Sequence, residues 1–229
     1  MLNVIYEDNH ILIVIKPQNI PAQADISGDT CMVELVEKYL REKYNKQGNV
    51  YVGLVHRLDR PTGGLMIFAK TDKAARRLSE SIKTKDFEKT YLAVVNGVPR
   101  EKFATLKHYL KKNARTNTVG VVPELTTGAK YAELSYEVMQ EKEKVSLVKV
   151  DLVTGRSHQI RVQMKHIGHS IYGDVRYGGD VLAKGHNLAL WAYKIRFVHP
   201  TTKKVMTFVS LPPEDVVPWS VFNFNNLHI

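Results

Sequence analysis

The chain has few of the features that mark a secreted, disulfide-bonded or membrane-spanning protein. Its 229 residues include a single cysteine, Cys31, which excludes an internal disulfide and argues against a cysteine-based metal cluster. The longest apolar runs, such as Ile11 to Ile15, are far too short to span a bilayer. The N-terminus has neither a basic segment nor a long apolar one, so it does not resemble a signal peptide. We expect a soluble, cytoplasmic protein with a buried, structural Cys31.

Acidic residues are in short supply. The chain has 33 Lys and Arg against 23 Asp and Glu, which gives a net charge of +10. This excess favours a polyanionic partner such as nucleic acid, which basic side chains bind by neutralising phosphates and releasing counterions. An anionic membrane surface, or solubility alone, would explain the same charge.

Apolar periodicity predicts many strands and few helices. The predicted helices are residues 32–44, capped by Asp29 or Thr30, and residues 72–83, capped by Thr71-Asp72. Many strands with few helices between them indicate an α+β protein with a large, mainly antiparallel sheet. The predicted strands are residues 4–6, 11–15, 65–69, 90–96, 130–140, 144–153, 195–199 and 205–210.

One carboxylate stands out in the segment VHRLDRPTGGLMIFAK, residues 55–70. Asp59 lies between Arg57 and Arg60, just before a Pro-Thr-Gly-Gly turn and an apolar strand. Nearby guanidinium groups favour the ionised form of a carboxyl group, and a turn at the mouth of a strand is a common place for reactive side chains. We interpret Asp59 as a carboxylate kept charged for nucleophilic or electrostatic work. A surface cluster of ion pairs is the alternative.

A second group of polar residues lies in TGRSHQIRVQM, residues 154–164. Thr154-Gly155 predicts a turn, and Ser157 is the expected cap of a helix that runs to His166 and turns Ile160 and Met164 toward the core. His158 is a possible general base, or it positions the loop through hydrogen bonds. No second ligand lies at a useful spacing, so a metal site is not expected. The candidate anion-binding residues at the helix start are Arg156, His158, Gln159 and Arg161.

The segment HRLDR, with its Thr-Gly turn and apolar strand, resembles the signature of RluA-type pseudouridine synthases. The opening ILIVIKPQNIPAQ is similar to the family's first strand and Lys-Pro turn. One departure is Pro61-Thr62-Gly63-Gly64, where the family commonly has Asp-Thr-Ser-Gly, but the carboxylate and both arginines remain. Further similar segments follow in the family's order: KTYLAVVNG (89–97), TGRSHQIRVQM (154–164), GHSIYGDVRYGG (168–179) and FVHPTTKKVMTFVSLPPE (197–214).

This resemblance implies that the protein isomerises uridine in ribosomal or transfer RNA. The bond from ribose to nitrogen 1 of the base breaks, the uracil rotates, and it rejoins through carbon 5. By resemblance, Asp59 acts as nucleophile or base, Tyr91 stacks on the base and assists proton removal, and Arg161 pairs with Asp59. Arg57 fills the gap left by the flipped nucleotide. The remaining candidate substrate-binding residues are His56, Arg60, Arg156, His158 and Gln159.

The resemblance also implies the architecture and the partners. We expect a single catalytic domain, residues 1–229, on a large mixed, mainly antiparallel sheet with flanking helices and a central active-site cleft. No separate N-terminal RNA-binding domain is expected. Because the reaction is redox-neutral, we expect no cofactor and no metal. RNA is the expected partner of a monomer that needs neither a membrane nor a protein partner.

Other interpretations remain open for the individual residues. Tyr91 lies in an apolar strand and is alternatively a core residue, and Arg161 alone would suit a surface ion pair. The irregular segment 100–123 is a hairpin or an insertion at the rim of the sheet. Its basic residues and those of helix 72–83 are either solvated faces or RNA contacts. A non-catalytic RNA-binding or chaperone protein would retain the basic surface, but it would not need Asp59. A carboxylate-dependent hydrolase would need a second acidic residue near Asp59.

Overall fold

Two groups of strands, each with its own helices and core, make up the computed structural model, which describes residues 2–178 and 185–225. The first unit consists of Met1–Glu88 and Ala192–Ser210, and the second of Lys89–Trp191 and Leu211–Ile229. Among the described residues, the helices are all too short or too polar to cross a membrane.

The elements of the first unit are β1 (Asn3–Glu7), β2 (Ile11–Lys16), α1 (Met32–Lys43), β3 (Gly53–Leu54), β4 (Gly63–Ala69), α2 (Asp72–Lys83), most of β10 (Leu190–Val198) and β11 (Val205–Val209). Its strands form a sheet in the order β1–β2–β4–β10–β11, with β3 paired to β4. Strands β2 and β4 are antiparallel, and their register places Lys16 opposite Gly64.

Helix α2 packs on this sheet through the small and apolar positions that its sequence predicts. Ala74 and Leu78 are buried in the same core as residues of β2, β4 and β10. The Thr71 hydroxyl accepts a hydrogen bond from the Ala74 N–H at 3.2 Å, which confirms the predicted cap.

The predicted cap of helix α1 is wrong. The residue before the helix is Cys31, whose N–H donates to Glu34 at 3.0 Å. Asp29 is unavailable as a cap because its carboxylate binds the Arg60 guanidinium. Cys31 is 1% exposed, so its predicted burial is confirmed.

The elements of the second unit are most of β5 (Glu88–Asn96), β6 (Phe103–Asn113), β7 (Thr118–Val122), β8 (Lys130–Glu141), β9 (Val145–Leu152), α3 (Gln159–His166) and a 3-10 turn (Trp219–Val221). Its strands form a sheet in the order β5–β9–β8–β6–β7, and each neighbouring pair is antiparallel. Segment 100–123 contains β6 and β7, so the prediction of a hairpin at the rim is confirmed. A short core under this hairpin includes Val119, Val162 and Tyr177.

Helix α3 begins differently from the prediction. The residue before it is His158, not Ser157, and His158 has left-handed backbone angles, φ 54° and ψ 19°. The buried positions Ile160 and Met164 are as predicted. Together the strand-rich units and their flanking helices confirm the α+β class and the antiparallel pairing.

Candidate active site

Asp59 lies in the first unit, on the turn that connects β3 to the fully buried strand β4. The Thr62 N–H donates to the Asp59 carbonyl at 2.9 Å and closes the turn. From the Lys-Pro segment, the Asn19 N–H donates to the Arg60 carbonyl at 2.8 Å. The Gln18 amide donates to the Pro61 carbonyl at 3.0 Å. The chain around a half-buried carboxylate is therefore held through its backbone.

Gly64 ends this turn in a conformation that glycine favours, with φ +113°. A Cβ on Gly64 would lie 2.4 Å from the Ala192 carbonyl oxygen and 2.6 Å from its nitrogen. Strand β10 thus approaches the turn so closely that no side chain fits. The second glycine of the Pro-Thr-Gly-Gly sequence is accordingly required by the packing.

Three residues around Asp59 have different environments. The Arg60 guanidinium lies against the loop 25–29, where it contacts Asp29, Ser27 at 3.1 Å and Asp25 at 3.7 Å. Nε2 of His56 accepts the Ile67 N–H of β4 at 3.1 Å, so that nitrogen is used within the fold. Arg57 is exposed, which leaves its side chain accessible to a large partner.

Lys16 is a residue of this region that the sequence interpretation missed. It is 0% exposed, and its Nζ donates to the carbonyls of Pro17 at 2.8 Å and Arg60 at 2.9 Å. Burial lowers the pKa of Lys16 to about 7, while the charge of Asp59 raises it and that of Arg60 lowers it. The sequence feature that could have revealed Lys16 is its place at the end of an otherwise apolar strand, because the side chains of such a strand point into the protein.

Tyr91 lies in the second unit, on β5 opposite Val150 of β9, and is 7% exposed. The preceding Thr90 hydroxyl donates to Asp151 at 2.6 Å, which fixes the strand next to the ring. A tyrosine so extensively buried is rigid, which suits either a core residue or a stacking platform.

Gln159 closes the turn before α3. Its Oε1 accepts hydrogen bonds from the Thr154 hydroxyl at 2.8 Å and the Arg156 N–H at 2.9 Å. Its Nε2 donates to the Glu133 carbonyl at 3.0 Å. Because Gln159 is 2% exposed, the structure gives this candidate substrate ligand a role inside the fold.

The other two candidate ligands of this turn also have partners in the second unit. Nε of Arg156 donates to the Tyr131 carbonyl at 2.8 Å, although the residue is exposed. Nδ1 of His158 is 2.6 Å from the Tyr177 hydroxyl. That hydroxyl also accepts the Val119 N–H at 2.8 Å. These contacts favour the interpretation of His158 as a residue that positions the loop.

Arg161 forms a buried, two-pronged ion pair with Asp174. Nε and Nη2 of the arginine lie 2.8 Å and 2.7 Å from the two carboxylate oxygens. The side chains are 6% and 0% exposed. The guanidinium also lies over the Tyr177 ring, 5.0 Å from its centroid. The interpretation of Arg161 as a surface ion-pair partner is therefore wrong.

Asp174 belongs to the segment GHSIYGDVRYGG, whose last residue, Gly179, lies outside the described residues. Besides Arg161, its carboxylate accepts the N–H groups of Arg176 at 3.1 Å and Tyr177 at 3.0 Å. The resemblance implies Asp59 as the partner of Arg161 and does not reveal Asp174. The neighbouring sequence does not distinguish Asp174 from any other aspartate in a glycine-rich turn, so only the three-dimensional structure reveals its ion pair with Arg161.

The basic residues of the two surface segments differ in how far they are neutralised. On α2, Arg76 pairs with Asp72, Lys83 with Glu80, and Arg77 donates to the Pro200 carbonyl. On the β6–β7 hairpin, Lys102 and Lys107 face Glu141 and Glu133. The tip residues Lys111, Lys112 and Arg115 are exposed. The hairpin tip and the exposed Lys73 of α2 are thus the better candidates for phosphate contacts. Within residues 2–178 and 185–225, no group of three or more His, Cys, Asp or Glu side chains is arranged to hold a metal ion.

Comparison with known proteins connects these residues to a family. The family model for RNA pseudouridylate synthase matches residues 10–166. An uncharacterized RNA pseudouridine synthase of Bacillus subtilis, YhcT, is 34% identical over 218 residues, which are 94% of this chain and 70% of that protein. Ribosomal large subunit pseudouridine synthase D of Haemophilus influenzae is 31% identical over 235 residues, covering 94% and 69% of the two chains.

A solved structure is also similar. Human RNA pseudouridylate synthase domain containing 1 superposes with a TM-score of 0.74 at 25% identity, covering 93% of this chain and 84% of that chain. The similarity thus extends beyond the segment that the family model matches and includes the strands of both units.

Proposed function

Because the chain belongs to the RNA pseudouridylate synthase family and is thus an isomerase of RNA uridine, we propose that it modifies specific uridines in structured ribosomal or transfer RNA. Asp59 is the reacting carboxylate in this proposal, as nucleophile or as base toward the sugar. The name of the Haemophilus influenzae relative supports ribosomal RNA as the substrate.

The observation that carries the proposal is the anchoring of the Asp59 turn. Its carbonyl groups accept hydrogen bonds from Thr62, Asn19, Gln18 and Lys16. A carboxylate that must meet one atom of a ribose gains from such pre-organisation, because the geometry is set before the substrate arrives.

The base must leave its stack before the sugar–base bond becomes accessible, which costs a few kcal/mol. In our proposal Tyr91 recovers part of this cost by stacking on the uracil, about 1–3 kcal/mol, and assists proton removal from carbon 5. Arg57 fills the vacated position in the RNA. Arg161 pairs with Asp59 and orients it, in addition to its bond to Asp174.

The net charge of +10 supports an RNA partner. We propose that residues 1–229 act as one catalytic domain, as a cytoplasmic monomer, without a cofactor. Exposed Arg57 and the tip of the β6–β7 hairpin are the first residues to test for RNA contacts.

The deciding experiment maps pseudouridine in total RNA from cells with and without the gene, and then assays the purified protein on the RNA so identified. Asp59→Asn should abolish turnover while the RNA Kd stays within about threefold, because the substitution removes the reacting group and little surface. Asp86→Asn, which changes an exposed carboxylate of the same unit, is the matched control and should retain activity. Turnover by Asp59→Asn at the wild-type rate would exclude Asp59 as the reacting group.

A further inference from the structure

A groove of about 620 Å³ lies in the first unit, between the end of α2 and the turn that joins β10 to β11. Phe197, Val198 and Val205 give its lining an apolar part. The described residues that line it include none of the candidate site residues discussed above. Its cationic side chains are Arg77, Lys85, Arg196 and Lys203.

The charges of this groove are only partly neutralised from within the protein. Its carboxylates, Glu88, Glu80 and Asp86, bind Arg196, Lys83 and the Thr84 hydroxyl, respectively. Arg77 donates to the Pro200 carbonyl at 2.7 Å, a neutral partner that does not cancel its charge. Lys85 and Lys203 are exposed, and neither forms an ion pair with another residue that the structure describes. The groove therefore presents two unpaired ammonium groups to solvent.

Both lysines also have backbone angles that lysine rarely adopts. Lys85 has φ 65° and Lys203 has φ 62°, whereas the other described non-glycine residues with positive φ are asparagines and a histidine, which tolerate it better. Lys85 follows α2, where the Asp86 N–H donates to the Ser81 carbonyl at 2.9 Å and glycine is the usual residue. The Lys203 N–H donates to the His199 carbonyl at 3.1 Å within the turn between the strands. Glycine or asparagine would suit both backbones better, so the fold does not explain the two charges.

We propose that this groove binds the phosphate backbone of RNA, and that Lys85 and Lys203 contact the phosphates. The inference rests on the proposed function in that it takes RNA as the polyanion. Phosphates supply the negative charge that the two lysines lack within the first unit. Because phosphate contacts carry no sequence information, the groove adds affinity and orients the RNA, and the choice of uridine is left to the region around Asp59.

The test measures the affinity of the purified protein for a labelled RNA stem–loop of arbitrary sequence over a range of salt concentrations. Lys85→Asn and Lys203→Asn each remove one charge and introduce a residue that tolerates positive φ. Each variant should weaken binding about fivefold at physiological salt and reduce the slope of log affinity against log salt by about one. The double variant should weaken binding about twentyfold, because separate phosphate contacts contribute independently.

Stability separates this role from a structural one. A lysine that served the fold would lower the free energy of unfolding when it is replaced. The asparagine variants should instead be at least as stable as wild type, because asparagine adopts positive φ more readily than lysine. Lys85→Arg and Lys203→Arg keep the charge and should bind the stem–loop as wild type does.

Lys46→Asn is the matched control for the loss of one charge. Lys46 is an exposed lysine of the same unit that follows α1 and is not among the residues that line the groove. Its substitution should change the RNA Kd by less than about twofold, because solvent ions screen a charge that does not contact the RNA. Equal losses from Lys46→Asn and from the groove variants would show that only net charge matters, and would overturn the proposal.

Two further outcomes would also overturn it. Wild-type RNA affinity in the double asparagine variant would exclude the groove as an RNA contact and leave an acidic protein segment as its alternative partner. Selective displacement of the stem–loop by inorganic phosphate, at the same ionic strength as a chloride control, would identify a free phosphate as the ligand. The stem–loop need not be a substrate and no turnover is measured, so these results are independent of whether Asp59 reacts.

Discussion

The two regions that carry the candidate catalytic charges are held in different ways. In the first unit Asp59 is fixed through the carbonyl groups of its turn, which accept from Thr62, Asn19, Gln18 and Lys16. In the second unit Arg161 is fixed through its own guanidinium, which Asp174 binds with both carboxylate oxygens.

The difference follows from the lengths and chemistry of the two side chains. An aspartate is short, so holding its backbone nearly determines where its carboxylate oxygens lie. An arginine has a long, flexible side chain, so its backbone fixes little, and a two-pronged partner is needed to orient the planar group. The proposed reacting group is thus held through its backbone, and the proposed orienting group is held through the end of its side chain.

Removing Asp174, which binds the Arg161 guanidinium, should have the largest effect. Asp174→Ala leaves a buried guanidinium without its two-pronged partner, which should lower the free energy of unfolding by about 3–5 kcal/mol. Turnover should fall as well, because Arg161 would no longer be oriented. Chemical denaturation gives the first quantity and single-turnover kinetics the second.

Glu137→Gln is the control for that experiment. It breaks a partly exposed ion pair of the same unit, with Lys149 at 2.6 Å and side chains that are 45% and 31% exposed. The expected loss is about 0–1 kcal/mol, since solvent screens such pairs. Equal losses of stability from Asp174→Ala and Glu137→Gln would show that burial does not distinguish the two ion pairs. Asp174 would then be no stronger a partner than an ordinary surface carboxylate.

Displacing the backbone of the Asp59 turn in the first unit should have the second-largest effect. Gly64→Ala adds a Cβ within 2.4 Å of the Ala192 carbonyl oxygen at a residue with φ +113°. Backbone strain and overlap together should cost about 3 kcal/mol in the free energy of unfolding. The rate at saturating RNA should decrease more than RNA affinity, because the turn that carries Asp59 must move.

Gly28→Ala separates strain from overlap. Gly28 has φ +72°, but a Cβ there would meet no atom within 4 Å. Its substitution should cost about 1 kcal/mol from backbone strain alone and leave the rate unchanged. If both alanine variants were equally stable and active, the close approach of β10 to the Asp59 turn would not constrain the site.

Local patterns were sufficient to predict most of the elements. Apolar alternation located the strands, and the Thr71 hydroxyl was recognised as the cap of α2 because capping depends on residues only three apart. The caps of α1 and α3 were wrong for a common reason. Asp29 is bound by Arg60, and Gln159 rather than Ser157 closes the turn before α3. A contact distant in sequence prevents the predicted cap of α1, and competition between residues of the same turn prevents the predicted cap of α3.

The residues of the candidate site also divide into those that neighbouring sequence predicts and those that only distant contacts reveal. Asp59 could be found from its neighbours in sequence, because arginines and a glycine turn surround it. Asp174 and Lys16 act across 13 and 44 positions, and neither has a local signature beyond a turn aspartate and a lysine at the end of a strand. The pairing of Asp59 with Arg161 stays a prediction, and the Asp174→Ala kinetics bear on it directly.

The smallest effects should come from two glutamines that hold the two turns. Gln159→Met removes a side chain that is 2% exposed and forms hydrogen bonds to Thr154, Arg156 and Glu133. Leaving those partly buried groups without this partner should cost about 2 kcal/mol in the free energy of unfolding. Gln18→Met removes the bond to the Pro61 carbonyl, whose energy is about 1 kcal/mol.

The kinetic consequences should be in the opposite order to the losses of stability. Gln18 holds the turn of the proposed reacting carboxylate, so its loss should slow the single-turnover rate severalfold despite the small change in stability. Gln159 holds the start of α3, where Asp174 still orients Arg161, so its loss should change stability and leave the rate nearly constant. Rates that follow stability in both variants would mean that backbone anchoring matters for folding and not for the position of Asp59.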